Sequence, residues 1–147
     1  MATLAELLAS SLAALKQVQQ SGDFTIVKSG ELSPTHLKRL LANHFLMPVI
    51  KGWYIVTDPR AVPGDSTAWY ASFWNFILRY ATERYGKEWC LSAEQSLAIY
   101  SGSTTVPKQV LIRSPKGNNN SLELLPPTSL FNLEAALPSR IDTDNPY

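Results

Sequence analysis

The sequence, 147 residues long, predicts an α+β fold. Three observations predict it. Residues 4–20 carry Leu4, Leu7, Leu8, Leu12, Leu15 and Val18 at spacings of three and four, one apolar stripe on a helix. Residues 44–58, HFLMPVIKGWYIVTD, set two apolar runs around Lys51-Gly52, the pattern of a β-hairpin. Residues 108–125 set two further β-prone runs, KQVLIRS and SLELL, around the turn formers PKGNNN.

The first helix stops at Ser21-Gly22. FTIV (24–27) is either a short strand or a buried connector, and KSGEL (28–32) fits a single helical turn. A second helix opens at Ser33, an N-cap residue, with Pro34 in the first helical position. Its inward stripe is Leu37, Leu40, Leu41 and Phe45, and its outward face carries Thr35, His36, Lys38, Arg39 and Asn43. In the hairpin that follows, Gly52 supplies the turn and Val49, Ile50, Tyr54, Ile55 and Val56 anchor the strands. Lys51 and Trp53 then stand at the tip.

DPRAVPG (58–64) is a loop and the expected joint between subdomains. Asp65, Ser66 or Thr67 caps a long helix that reaches Arg84. Its Trp69, Tyr70, Phe73, Trp74, Phe76 and Tyr80 recur at helical spacing and read as core, with Arg79, Glu83 and Arg84 at a solvated end. Ser92 and Gln95 make a capping-box pattern for a fourth helix ending near Gly102. KQVLIRS, SLELL and TSLFNL (128–133) then predict an antiparallel sheet with a hairpin turn at KGNNN. The organisation expected is therefore 1–60, 61–137 and a polar tail or linker at 138–147.

Composition bounds the function. Net charge is +1, and 17% of residues are charged, so any nucleic-acid footprint must be local. One cysteine, Cys90, excludes an internal disulfide and fits a reducing compartment. With two histidines, His36 and His44, it supplies too few ligands for a structural zinc. MATLAELLAS has no basic n-region and carries Glu6 inside its apolar stretch, so no secretory signal is expected, and no apolar run approaches a membrane span of about 20 residues. A cytoplasmic protein with no membrane partner and no cofactor is expected. Cys90 in WCLS reads as an inert thiol, KGNNN lacks the spacing of a phosphate-binding loop, and no catalytic constellation is present.

The order helix, short turn, polar-faced helix, hairpin is that of a winged helix-turn-helix, whose second helix enters the major groove while the hairpin touches the flanking backbone. Thr35, His36, Lys38, Arg39 and Asn43 have the chemistry for base or phosphate contacts, joined by Lys28, Lys51 and Trp53. Residues 28–60 hold five cations (Lys28, Lys38, Arg39, Lys51, Arg60) against two acids, Glu31 and Asp58. The same Lys38 and Arg39 also suit the solvated face of a helix, and some winged helices bind only proteins.

Three stretches carry a family resemblance: VIKGWYIVTDP (49–59), the run from GDSTAWYASFW to VLIRSP (64–115), and NNNSLELLPPTSLF (118–131). They resemble the N-terminal region of a subgroup of bacterial Fic-family (cell filamentation) proteins, which looks like an antitoxin module of the AbiEi type. The resemblance implies a winged helix-turn-helix followed by a small α/β domain with two helices. It implies double-stranded DNA as one partner and a Fic catalytic domain or toxin protein as another. Fic proteins transfer AMP with an HPFxxGNGR-type motif, and neither NHFLMP (43–48) nor KGNNN reproduces it. The chain is thus expected to be a regulatory module without catalysis of its own, 138–147 leading toward a catalytic core.

Overall fold

The structure, a computed structural model, describes residues 2–21, 25–61, 65–103 and 105–137. It is a mixed α+β chain with four helices and two small sheets among the described residues. Two compact units divide it, residues 1–73 and 74–147. The division falls within the long aromatic helix, past the loop at 58–64 where the sequence puts the joint. Residues 62–64 of that loop, Phe24 of FTIV and the tail at 138–147 lie outside the described residues.

In the first unit, helix α1 (Leu4–Ser21) opens with a capping box absent from the sequence reading. Glu6 N–H donates to Thr3 Oγ1 at 3.2 Å, and Thr3 N–H donates back to the Glu6 carboxylate at 3.1 Å. Leu4, expected on the buried stripe, is 87% exposed because it occupies the first helical turn, ahead of the part that meets the core. Strand β1 (Ile26–Lys28) follows. KSGEL is a tight turn and not a helical one: Glu31 N–H donates to Lys28 O at 3.1 Å, and Gly30 takes φ 101°. That sign of φ at the third position is the type II geometry that glycine permits.

Helix α2 (Pro34–Ala42) starts as expected, with Ser33 Oγ accepting from His36 N–H at 3.3 Å. It ends in a Schellman motif. Phe45 N–H donates to Leu40 O at 3.0 Å and His44 N–H to Leu41 O at 3.2 Å, which forces His44 into the left-handed region at φ 63°. The hairpin forms from β2 (Leu46–Ile50) and β3 (Trp53–Val56), with Gly52 at φ 86° in the turn. The three strands pair antiparallel in the order β1-β3-β2. Thr57 N–H donates to Phe45 O, so alternation turns the backbone of Leu46 and Pro48 away from β3. Pro48, which has no N–H, thus sits on the outer rim of an edge strand. Leu15, Val27, Leu32, Leu40 and Leu46 form the core between α1, α2 and the sheet.

Helix α3 (Thr67–Tyr85) is capped by Asp65, whose Oδ1 accepts from Thr67 N–H at 2.9 Å. Trp69, Phe73, Phe76, Tyr80 and Tyr85 are buried, so the aromatic load is packing, while Tyr70 is exposed. The second unit continues with β4 (Cys90–Leu91), α4 (Ala93–Tyr100), β5 (Gln109–Ser114), β6 (Asn120–Glu123) and β7 (Ser129–Glu134). Ser92 caps α4, its Oγ accepting from Gln95 N–H at 3.2 Å.

The sheet is mixed and not antiparallel as expected. Its order is β4-β5-β7-β6, with β5 and β7 parallel and the other pairs antiparallel. Burial explains the order. β5 and β7 supply Val110, Ile112 and Leu130 to the core, whereas β6 exposes Asn120, Ser121 and Glu123. The polar strand takes the rim and the apolar pair the centre. KGNNN is consequently a crossover over β7 and not a hairpin turn. Asn119 N–H donates to Asn132 O at 2.8 Å, Asn119 Oδ1 accepts from Glu134 N–H at 2.9 Å, and Gly117 passes against the Leu133 carbonyl.

The Gln95 side chain does not return to its own cap. Its Nε2 donates to Gln109 O at 2.8 Å and its Oε1 accepts from Leu111 N–H at 3.0 Å. Those are the backbone groups that β4, two residues long, leaves uncovered on β5.

Candidate nucleic-acid interface

The polar face of α2 is the first candidate, and the structure sorts its residues into two sets. Thr35 and Lys38 are exposed along the helix. Asn43 is exposed at its C-terminal end, with its Nδ2 donating to Arg39 O at 2.8 Å. His36 and Arg39, i and i+3 on one side, are half-buried and turned toward α1. Arg39 Nη1 donates to Leu7 O at 3.2 Å and to Ser11 Oγ at 2.8 Å. His36 Nδ1 lies 2.8 Å from the same hydroxyl. Arg39 therefore ties α2 to α1, a structural duty that its position on a polar helix face conceals.

Ser11 is the residue the sequence reading missed. It is fully buried, on the same side of α1 as Leu8, Leu12 and Leu15. A hydroxyl inside an apolar stripe was the available signal, since a buried polar atom needs a partner.

The hairpin tip is also divided. Lys51 is exposed, but Trp53 is buried at 7% exposure and is not presented at the tip. Antiparallel register sets Lys28 opposite Trp53, and the Lys28 ammonium lies 5.4 Å from the indole ring centroid. That is a cation–π contact, which keeps a half-buried Lys28 beside the tip. Ser29 N–H donates to Gly52 O at 2.7 Å and fastens the turn after β1 to the hairpin. Of the other charges in residues 28–60, Arg60 pairs with Asp58 at 3.4 Å on the surface.

The second unit holds buried polar chemistry of a structural kind. Tyr85 OH donates to Asn132 Oδ1 at 2.7 Å and accepts from Arg84 Nε at 3.2 Å. Burial pushes the Tyr85 hydroxyl above its ordinary value, opposed by the Arg84 guanidinium. Cys90 is buried in β4, and desolvation raises its thiol despite the neighbouring Arg113. A thiol held protonated is a poor nucleophile. Among the described residues no three His, Cys, Asp or Glu side chains gather to hold a metal, and no helix is long and apolar enough to cross a membrane. The chain matches no protein-family model, no curated protein and no solved structure.

Proposed function

We propose that the chain is a DNA-binding regulatory module of the transcriptional-regulator type. On this reading the first unit is a winged helix-turn-helix, α2 is the recognition helix and the β2–β3 hairpin is the wing. The observation that carries it is the pairing of an exposed Thr35, Lys38 and Asn43 on α2 with Lys51 at the tip of the hairpin that follows. The antiparallel order β1-β3-β2 behind a helix pair supports the same reading.

The contacts are phosphate contacts from Lys38 and Lys51 and base-edge or phosphate contacts from Thr35 and Asn43. Lys28 supports the tip through Trp53, and Arg39 acts indirectly by holding the helix pair. The resemblance in residues 49–131 extends the proposal: the module is antitoxin-like, belongs beside a Fic AMP-transferase core, and carries no catalysis itself.

The test is duplex binding measured against salt. Lys38→Ala and Lys51→Ala each weaken binding across all sequences and reduce the salt slope by about one unit per lost phosphate contact. Absence of binding to any duplex at low salt refutes the proposal.

One observation favours a second reading, a protein-interaction module that holds a Fic-type catalytic domain. Leu78, Leu97 and Tyr100 in the second unit are 55%, 67% and 57% exposed. Leu78 borders a cavity of about 330 Å³ with Trp74, Trp89, Leu91 and Ile99. A titration against a separately expressed catalytic core, with Leu97→Glu as the disrupting variant, tests this reading.

A further inference from the structure

We infer that Ser11 is a positioning residue that presents one nitrogen of His36 as a fixed hydrogen-bond donor toward DNA. The inference rests on the DNA-binding reading above. It follows from the hydrogen-bond inventory of three side chains. Arg39 carries only donors, so at the 2.8 Å contact from Nη1 the Ser11 oxygen accepts. The hydroxyl then has a single hydrogen to place. Its other partner among the described residues is His36 Nδ1, 2.8 Å away; Ser11 is fully buried, so a hydrogen not given to Nδ1 would be stranded, and Nδ1 accepts it. A neutral imidazole that accepts at Nδ1 carries its proton at Nε2.

The geometry converts this choice of tautomer into a surface property. The Nδ1 edge of His36 is turned to α1, and Nε2 points away from that hydroxyl. His36 sits on the first turn of α2 at the flank of its exposed face, about 100° around the axis from Thr35, in line with exposed Asn43 and nearly opposite Lys38. An N–H locked at Nε2 selects an acceptor: a phosphate oxygen or an acceptor atom on a base edge of the duplex. Free exchange of tautomers would present a lone pair there part of the time, and that repels the same acceptors. Ser11, fully buried, and Arg39, whose guanidinium is engaged with α1, therefore set what His36 can read.

The test combines imidazole ¹⁵N NMR with duplex binding, in buffer alkaline enough to keep histidines neutral. In the wild-type protein, His36 shows a pyridine-like Nδ1 and a pyrrole-like Nε2. Ser11→Ala gives the averaged signals of two tautomers, and Ser11→Thr, which keeps a hydroxyl, restores the single one. Binding to a mixed-sequence duplex weakens about threefold to tenfold in His36→Phe, the scale of one hydrogen bond, and about twofold in Ser11→Ala, where about half of the rings still carry the donor. His36→Gln, with a terminal donor, recovers most of it. An altered sequence preference in His36→Phe assigns a base edge, and uniform weakening with a smaller salt slope assigns a phosphate. A wild-type ring protonated at Nδ1, or already averaged, overturns the inference whatever the DNA result. Duplex binding weakened in Lys38→Ala but unchanged in Ser11→Ala and His36→Phe overturns it alone, leaving the DNA reading standing. No duplex binding by the wild-type protein overturns both.

Discussion

Among the glycines of the described residues, replacing Gly117 with alanine is expected to cost the most stability. A Cβ at this position would lie 2.5 Å from the Leu133 carbonyl oxygen, 2.6 Å from its carbon and 2.7 Å from Glu134 N. All three atoms are backbone within β7, so no side-chain rotation relieves the contact. Opening it from 2.5 Å to the ordinary 3.4 Å displaces the crossover loop from the strand. The bonds from Asn119 N–H to Asn132 O (2.8 Å) and from Glu134 N–H to Asn119 Oδ1 (2.9 Å) then fall out of reach. Two lost hydrogen bonds at about 1 kcal/mol each, with the strain of overpacking, amount to about 2–4 kcal/mol. For a chain of this size that is a fall in Tm of roughly 5–15 °C.

Gly102 is the control, because its added Cβ meets nothing within 4 Å and only its φ of 87° resists alanine. Gly102→Ala should cost about 1–2 kcal/mol. Urea unfolding followed by circular dichroism, with hydrogen exchange at Leu133 and Glu134, separates the two variants. A Gly117→Ala protein no less stable than Gly102→Ala, with β7 amides protected as before, refutes the close approach of loop and strand.

Three further outcomes follow from the same kind of reasoning. His44→Gly should stabilise the first unit by about 1 kcal/mol, measured by urea unfolding, because glycine removes the left-handed penalty at φ 63° and keeps both Schellman bonds. Tyr85→Phe should cost about 1–3 kcal/mol, since it strands the fully buried Asn132 amide, whose Nδ2 already lacks a partner. The Tyr85 hydroxyl is raised in the folded state, so its contribution is complete below the unfolded tyrosine value near 10 and is lost as pH climbs through the folded one. Stability of the wild-type protein, followed by tyrosinate absorbance, therefore falls above pH ~10 more steeply than that of Tyr85→Phe. Cys90, buried with a raised thiol, should react with an aromatic disulfide reagent at the rate of unfolding and not at the rate of an exposed thiol.

Local patterns in the chain were legible where one element decides its own form. Ser33-Pro34 opened α2, Ser92 capped α4, and the aromatic spacing of residues 69–85 gave a helix packed through Trp69, Phe73 and Phe76. What failed depended on partners distant in the chain. KGNNN has hairpin chemistry, yet which strand lies beside β5 is settled by the burial demands of β7, a later segment. The helix face of His36 and Arg39 reads as solvent because the pattern within α2 says nothing of Ser11, 25 residues from His36. Trp53 belongs to the same group. Its place beside Gly52 suggests exposure, while the cross-strand position of Lys28 and the sheet beneath decide for burial.

Gln95 gives the second unit a property that no strand supplies. The rim of β5 beyond β4 is finished by an amide belonging to a helix, two hydrogen bonds from one side chain doing what a longer strand would do. Helix α4 and the central parallel pair are thereby coupled: the helix cannot lift away without baring the carbonyl of Gln109 and the N–H of Leu111. An opened rim of that kind is a template for a foreign strand. One side chain thus acts as a latch, and its loss would open this stretch of the β5 rim to a foreign strand.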